Sequence, residues 1–210
     1  MHRGKAYHDY MLASTRDLRV RQGFQRLACR FTPSGGTILD FGAGTGIDAK
    51  TYAALGFKVQ VHEPCKENRG FLVQHCRDEL AGGAIVLTDL SATGAVQLIA
   101  ANFAVLNLVA DHEALFETFD RLLAPNGRVL ASLLNPFYVG DARYRWWRQN
   151  LGGLLRRGRY AVEGEDGPIY RFAPNIVARA ARPAFQRMAL APGGLRLAMS
   201  PYMFLLLQKT

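Results

Sequence analysis

The chain has 210 residues, of which 49% are hydrophobic and 20% are charged. This length and composition predict one globular domain with a complete core. No apolar run approaches the ~20 residues that span a bilayer, and none follows the N-terminus as in a signal peptide. The three cysteines are odd in number and form no C-x-x-C motif, which favours reduced thiols in a cytosolic protein over a disulfide or metal framework.

Alternating helices and strands predict a parallel sheet with helices on both faces. A helical segment, 7–29, precedes the first strand. The expected strands are Thr37–Phe41, Lys58–His62, Ala84–Thr88, Phe103–Val109, Arg128–Leu134, Phe185–Leu190 and Met203–Gln208. The expected helices between them are Asp48–Leu55, Lys66–Leu80, a weak one at Ser91–Ala100, His112–Leu123 and Pro174–Ala181.

The most informative segment is the glycine loop that follows the first strand, Ile38-Leu39-Asp40-Phe41-Gly42-Ala43-Gly44-Thr45-Gly46. Glycine at these positions lets the backbone turn sharply and lets a ligand approach closely. A helix follows at once, which is the order of a nucleotide-binding site. Glu63 ends the second strand, where a carboxylate can accept hydrogen bonds from ribose hydroxyls.

The spacing of the glycines separates two interpretations. Gly46 comes one residue too early for the G-x-G-x-x-G of dinucleotide-binding folds, and Asp40 precedes the first glycine by two residues. This D-x-G-x-G-x-G pattern, with Glu63 at the next strand end, resembles motif I of the class I S-adenosylmethionine-dependent methyltransferases. The resemblance extends from about residue 7 to residue 209.

That resemblance implies an α/β, Rossmann-like fold. Its sheet would be mostly parallel and seven-stranded with an antiparallel last strand, helices would cover both faces, and a small cap would be inserted after strand five. We expect a single domain, 1–210. Its expected parts are an N-terminal helical cover (1–36), a cofactor-binding core (37–135), a basic aromatic cap (136–170) and the last helix and strands (171–210).

The resemblance also implies the cofactor, S-adenosyl-L-methionine, and the residues that hold it. Asp40 would attract the methionine ammonium, Glu63 would hold the ribose hydroxyls and Asp89 would receive the adenine amino group. The expected cofactor-binding residues are Asp40, Gly42, Ala43, Gly44, Gly46, Glu63, Asp89, Leu90 and Asn107. Alternatively, Asp40 and Glu63 are ordinary strand-end carboxylates, Asp89 caps a turn, and Asn107 contributes only its backbone.

Methyl transfer depends mainly on alignment of the reacting groups, and a general base is needed only for a protonated nucleophile. His112 is the candidate base, because it follows the predicted fourth strand at the edge of the sheet where ligands bind. The alternative is an ordinary residue at a helix N-terminus, beside Asp111. No metal ligand is expected.

The net charge of +9 is concentrated in the segments that flank the acidic core, which favours anionic partners over a merely solubilising surface. Segment 137–160 interleaves aromatic residues with arginines, and we expect it to cap a small-molecule or lipid-like, anionic acceptor. The same mixture suits peripheral contact with the anionic inner face of a membrane. The expected acceptor-binding residues are Tyr10, Tyr138, Arg143 and Trp146.

Asn135-Pro136-Phe137-Tyr138 is similar to the N-P-P-Y motif of amino-group methyltransferases, but it follows strand five and not strand four. We therefore interpret this match as accidental. The leading hypothesis is a cytoplasmic methyltransferase. The alternatives are an RNA methyltransferase, which basic and aromatic residues also suit, and a non-catalytic adenosylmethionine-binding protein. Against nucleic acid, the chain has no separate RNA-binding module and no suitably placed catalytic cysteine.

Overall fold

The computed structural model describes residues 3–91, 95–165 and 167–210. The strands are β1 (Thr37–Phe41), β2 (Lys58–His62), β3 (Ile85–Leu87), β4 (Val96–Ala101), β5 (Leu123–Leu134), β6 (Arg159–Gly164), β7 (Gly167–Phe172), β8 (Phe185–Ala191) and β9 (Tyr202–Lys209). The α-helices are α1 (Gly4–Ala13), α2 (Thr15–Phe31), α3 (Ile47–Ala54), α4 (Lys66–His75), α5 (Arg77–Ala81), α6 (His112–Leu122), α7 (Arg145–Arg157), α8 (Pro174–Ala180) and α9 (Leu195–Ala198). Short 3-10 helices span Val105–Leu108 and Val139–Arg143.

Seven strands form the main sheet in the order β3-β2-β1-β4-β5-β9-β8. The first five are parallel to one another, and β9 runs antiparallel to both β5 and β8. This confirms the predicted α/β fold with a mostly parallel, seven-stranded sheet. The order reverses between β1 and β4, and ligands bind at such a switch point in open parallel sheets.

The central strands of the sheet are buried on both faces. Successive side chains of a strand point to opposite faces, so each of these strands contributes to two core clusters. On β1, Ile38 packs with Phe24 of α2 and Tyr52 of α3, whereas Leu39 packs in the cluster that contains Phe119 of α6. Central strands of this kind are apolar throughout. The helices therefore form two outer layers, with α2, α3 and α4 on one face and α6 and α8 on the other.

The predicted fourth strand is wrong. Segment 103–109 is a loop with a 3-10 turn. β4 lies earlier, at Val96–Ala101, and overlaps the weak helix expected at Ser91–Ala100, of which residues 92–94 lie outside the described residues. Periodicity does not distinguish two short apolar runs so close together. Pairing of Ile99 with both Leu39 and Val129 selects the first run, and the positive φ of Phe103 and Ala104 ends the extended conformation before the second.

The predicted N-terminal helix is two helices separated at Ser14, whose side chain caps α2 by accepting a hydrogen bond from Asp17 N. The short helix α1 packs on α4: Gly4 N donates to Asn68 Oδ1 over 2.9 Å, and Arg3 pairs with Glu67 over 3.2 Å. This packing places α1 beside the glycine loop. The predicted helix over 66–80 is also interrupted, between α4 and α5.

Between β5 and α8, the chain leaves the main sheet to form the second 3-10 turn, α7 and the antiparallel β6–β7 hairpin. Arg171 of this hairpin pairs with Asp141 over 3.3 Å, and both side chains are largely buried. Trp147 Nε1 donates to Pro136 O over 3.0 Å. These contacts attach the insertion to the end of β5. In the described part of the chain, none of the helices combines the length and apolar character needed to cross a bilayer.

Candidate functional site

A cleft of about 410 Å³ opens at the carboxyl ends of β1 and β2, beside the glycine loop. Its walls combine polar groups from the loop region with aromatic and aliphatic side chains from α1 and the 103–109 segment. The lining includes Tyr7, Phe41, Gly42, Gly44, His62, Glu63, Phe103, Val105, Leu108 and Val109. The cleft is therefore mostly apolar with a few polar groups, as expected of a site for a small molecule.

The glycine loop has a backbone that only glycine adopts without strain at three positions. Gly42, Gly44 and Gly46 have φ angles of 73°, 58° and 81°. A Cβ atom on Gly46 would lie 2.6 Å from Cys76 Sγ, so this glycine is also needed for packing between α3 and the α4–α5 junction. The loop therefore presents a fixed backbone surface to the cleft.

Glu63 connects the glycine loop to the end of β2. Its Oε2 accepts a hydrogen bond from Gly44 N at 2.6 Å, and its Oε1 accepts one from Cys65 N at 2.8 Å. Burial raises the pKa of Glu63, while these two backbone donors act in the opposite direction. Each carboxylate oxygen keeps a second lone pair, so Glu63 can hold the loop and still accept hydrogen bonds from a ligand in the cleft.

A second, much smaller cavity of about 20 Å³ lies beneath the glycine loop and has polar walls. Asp40 contributes to it, and this side chain is 2% exposed. Asp40 Oδ2 has no hydrogen-bond partner among the described residues. Burial, followed by the negative charge of Asp48, raises the pKa of Asp40 well above its ordinary value. The cavity has room for about one water molecule. A cationic group or an ordered water molecule in it could therefore donate a hydrogen bond to Asp40 Oδ2.

A buried ion pair forms another wall of this small polar cavity. Arg21 Nη1 and Asp48 Oδ2 lie 2.5 Å apart, and both side chains are less than a tenth exposed. Asp48 also accepts hydrogen bonds from Gln25 and Asn102. The Arg21 guanidinium lies 4.5 Å from the centre of the Phe103 ring, and its Nε has no partner among the described residues.

Sequence reasoning missed Arg21, Asp48 and Asn102 as site residues. One signal was present for Arg21: it lies three residues before Phe24 and therefore on the apolar face of α2. The signal for Asn102 was hidden by the misplaced fourth strand.

Asp89 lies outside the cleft, on a neighbouring cavity of about 630 Å³ that it shares with His62 and Glu63. Its side chain is exposed, and Oδ1 accepts hydrogen bonds from Ser91 N at 3.0 Å and Ser91 Oγ at 2.6 Å. This geometry agrees with the alternative in which Asp89 caps a turn. Leu90 has a φ of 69° and packs against the core cluster that contains Phe116. Recognition of adenine by Asp89 and Leu90 stays a prediction.

The prediction that Asn107 lies on a strand is wrong, and its role in cofactor binding stays a prediction. It lies fully buried on the first 3-10 helix, and its amide connects two other parts of the chain. Nδ2 donates to Tyr170 O at 2.6 Å, and Oδ1 accepts from Leu134 N at 3.0 Å. With donor and acceptor both engaged, the Asn107 side chain holds the insertion against β5 and does not line the cleft.

His112 does not line the cleft but a separate cavity of about 680 Å³. Its Nε2 is 2.9 Å from Leu106 O, and its ring centre is 4.4 Å from that of Phe172. Burial lowers the pKa of His112, which favours its neutral form. A general-base role for His112 stays a prediction, and this geometry favours the structural alternative.

None of the four expected acceptor-binding residues lines the cleft. Tyr10 is 54% exposed on α1. Arg143 donates to the hydroxyl of Tyr144, and the Trp146 ring lies against those of Tyr144 and Tyr160. The aromatic residues of the insertion thus pack largely on one another. A role of Tyr10, Tyr138, Arg143 and Trp146 in acceptor binding stays a prediction.

The resemblance at residues 135–138 has a structural explanation. Asn135 is fully buried, and its Nδ2 donates to Leu197 O at 2.6 Å and to Ser200 O at 2.8 Å. Its Oδ1 accepts from Phe137 N. The asparagine therefore joins the end of β5 to the α9 region and has no free amide for an acceptor.

Comparison with known proteins agrees with this fold and site. A family model described as a methyltransferase domain matches residues 12–161. Because that match covers more than half of the chain, the chain belongs to this family, whose fold is that of the class I methyltransferases.

Among curated relatives, a ubiquinone biosynthesis O-methyltransferase from Rhizobium etli is 26% identical over 132 residues, which cover 60% of this chain and 52% of the relative. One from Rhizobium leguminosarum bv. trifolii is also 26% identical, covering 60% and 51%. The chain thus spans about half the length of the curated relatives it matches.

Solved structures share the fold at low identity. A methyltransferase from Mesorhizobium loti aligns with a TM-score of 0.63 and 16% identity, covering 89% of this chain and 98% of that one. The glycopeptide N-methyltransferase MtfA, crystallised with sinefungin, aligns with a TM-score of 0.63 and 20% identity, covering 90% and 93%. The CcbJ methyltransferase from Streptomyces caelestis aligns with a TM-score of 0.64 and 16% identity, covering 90% of this chain and 89% of that one.

Proposed function

We propose that this protein is an S-adenosyl-L-methionine-dependent methyltransferase that acts on a small-molecule or lipid-like acceptor. The observation that carries the proposal is the unpartnered Asp40 Oδ2 in a polar cavity directly beneath a glycine loop of positive φ. A buried carboxylate oxygen without a partner is costly, and a ligand with a cationic group removes that cost.

The residues present fit this cofactor. Asp40 would hold its ammonium, and Arg21, with an unpartnered Nε beside the same cavity, would hold its carboxylate. Glu63 would accept hydrogen bonds from its ribose hydroxyls. When bound, the cofactor supplies a methyl group on a good leaving group, so the protein's main contribution is to align acceptor and methyl.

The acceptor would approach along the aromatic side chains at the mouth of the cleft. Tyr7 and Phe103 line both the cleft and the small polar cavity, and the Phe103 ring lies 5.7 Å from that of Tyr202. Such a wall suits a planar or apolar acceptor. The named activity of the ubiquinone biosynthesis relatives supports the same class.

A peripheral contact with an anionic membrane is part of the proposal. Two side chains of the α9 region, Leu195 and Met199, are 93% and 72% exposed, with the exposed Arg196 between them. Exposed apolar residues interleaved with arginine suit a headgroup interface. An RNA acceptor and a non-catalytic binding protein remain the alternatives.

Titration calorimetry with adenosylmethionine, with NAD as the matched control, tests the cofactor. Methyl transfer from radiolabelled cofactor to catechols, to quinols with a prenyl tail and to RNA then tests the acceptor. We expect binding of adenosylmethionine and not of NAD, and label in the phenolic acceptors. Label in RNA alone would replace the acceptor proposal, and binding without any transfer would favour the non-catalytic alternative.

Replacement of Asp40 by asparagine should separate stability from cofactor binding. Because burial raises the pKa of Asp40, folding disfavours its ionised form. The resulting loss of stability grows as the pH rises above the ordinary pKa of about 3.9 and levels off above the raised pKa. Asp40→Asn lacks this charge, so thermal unfolding near pH 7 should occur at an equal or higher temperature than in the parent.

A bound ammonium favours the carboxylate of Asp40, so the parent's cofactor affinity should rise with pH up to the raised pKa. In Asp40→Asn the affinity should be lower and less dependent on pH. Calorimetry from about pH 5 to about pH 8 measures both, with Asp78→Asn, at a highly exposed carboxylate, as the control. An Asp40→Asn protein with parental affinity at each pH would exclude contact between Asp40 and the ammonium.

A further inference from the structure

A third cavity, of about 680 Å³, shares no lining residue with the cleft. We call it the arginine groove. Its wall contains four arginines, and its apolar floor includes a phenylalanine and an isoleucine. These residues are Arg156, Arg157, Arg159, Arg179, Phe172 and Ile176.

Three different elements bring the four arginines together. Arg156 and Arg157 lie in the last turn of α7, Arg159 begins β6, and Arg179 lies in the last turn of α8. Gly158, with a φ of 67°, makes the turn between α7 and β6. Its carbonyl accepts a hydrogen bond from Ala173 N at 2.7 Å, just before α8. The backbones that carry the arginines are therefore held against one another by short, ordered connections.

The charges in the arginine groove are unbalanced. Asp111 and Glu113 also line it, but Asp111 already caps α6 by accepting a hydrogen bond from Ala114 N at 3.0 Å. Within residues 3–91, 95–165 and 167–210, none of the four arginines forms an ion pair with a carboxylate. All four are exposed. Four cations opposite two carboxylates produce a local positive potential that an anion would relieve.

The apolar floor distinguishes the arginine groove from an ordinary solvated face. Phe172 is 2% exposed, and Ile176 is partly buried against the same core cluster. A ligand that satisfies both features carries a strongly anionic group on an apolar body. Guanidinium groups from several directions match the oxygens of a phosphate better than the two oxygens of one carboxylate.

We propose that the arginine groove binds a phosphate ester, with the phosphate among the arginines and the attached body against the partly exposed Ile176. Its source is either a phospholipid headgroup or a freely diffusing phosphate ester. The site is separate from the cofactor cleft, although Val109 lines the cleft and Ala110 lines the groove. The proposal does not depend on methyl transfer.

The test compares two triple variants with the same change in charge. Arg156→Gln/Arg159→Gln/Arg179→Gln removes one arginine from each element of the groove. Arg26→Gln/Arg77→Gln/Arg187→Gln removes three exposed arginines elsewhere. Calorimetry with pyrophosphate measures the anion site. Sedimentation with phosphatidylglycerol–phosphatidylcholine vesicles, and with phosphatidylcholine vesicles alone, measures the lipid source. Circular dichroism checks that both variants fold.

We expect the groove variant to lose about tenfold or more in affinity for pyrophosphate, for anionic vesicles or for both, because charge-assisted hydrogen bonds to phosphate are lost. The control variant should lose much less. Loss of pyrophosphate binding with vesicle binding retained would assign a diffusing phosphate ester, and loss of anionic vesicle binding would assign a lipid headgroup.

Equal losses in the two variants would reduce the effect to net charge and overturn the proposal, as would a parent protein that binds neither probe. Adenosylmethionine affinity should be unchanged in the groove variant. A parent that binds pyrophosphate but not adenosylmethionine would refute the proposed function and leave this inference standing.

Discussion

Replacement of Gly44 by valine should abolish cofactor binding while leaving the protein folded. Gly44 has a φ of 58°, a conformation that β-branched residues adopt only with strain of about 1–3 kcal/mol. The Cβ atom of a valine at this position would lie 3.2 Å from Tyr7 Cε1, and the valine methyl groups would extend further into the cleft. Movement of the loop to relieve this would break the hydrogen bond from Gly44 N to Glu63. We expect a loss of about 100-fold or more in affinity, measured by calorimetry.

The matched control for Gly44→Val is Gly70→Ala. Gly70 lies within α4, and a Cβ there would meet no atom within 4 Å. Alanine at an unstrained helical position should leave cofactor affinity unchanged and raise stability by about 0.5–1 kcal/mol. A Gly44→Val protein that binds the cofactor as tightly as the parent would remove the glycine loop from the proposed site.

Replacement of Arg21 by methionine should cause the largest loss of stability. It would leave Asp48 buried without its cation, and breaking a buried pair in this way lowers the free energy of unfolding by about 3–5 kcal/mol. Gln25 and Asn102 would still donate hydrogen bonds to Asp48. We therefore expect a loss of stability near the lower end of this range, about 3 kcal/mol. Urea unfolding measures it, and Arg26→Met, an exposed change on the same helix, should have little effect.

The double variant Arg21→Met/Asp48→Leu separates the structural role of Arg21 from a role in binding. An apolar pair of similar volume should recover much of the stability, because neither Arg21 nor Asp48 is left as an unpaired buried charge. Cofactor affinity should stay low, since the guanidinium expected to hold the carboxylate is absent. Recovery of both stability and parental affinity would limit Arg21 to a structural role. Parental stability of Arg21→Met alone would contradict the importance of the pair.

The features that the sequence determined by itself are local. β1 and β2 lie at the residues predicted from their apolar patterns, and the glycine loop follows β1 directly. The spacing of the glycines and the strand and helix on either side of them are all visible in adjacent residues. The positive φ angles of the three loop glycines agree with the expectation that this backbone needs glycine. The carboxyl ends of parallel neighbours meet at one edge, so the proximity of Glu63 to the glycine loop also followed from the order of the elements.

Only the tertiary structure decided which of two apolar runs is the fourth strand. Val96–Ala101 and 103–109 have similar composition, and pairing with β1 and β5 is what makes the first run a strand. The residues after it were then assigned to the wrong element. Asn107 was therefore expected on a strand. Its side-chain amide instead forms hydrogen bonds with the backbone of residues 27 and 63 positions away, and no local sequence pattern identifies such partners.

The same physical reason applies to the polar groups of the site. Arg21 lies on α2, Asp48 on α3 and Asn102 just after β4, and only packing of α2 and α3 on the sheet makes them one cluster. The side-chain nitrogens of His112 and Asn135 contact backbone carbonyls that packing brings close, those of Leu106 and Leu197. Residue type shows what a side chain can do. Its partners depend on long-range packing, which decides whether a polar group faces a ligand or stabilises the fold.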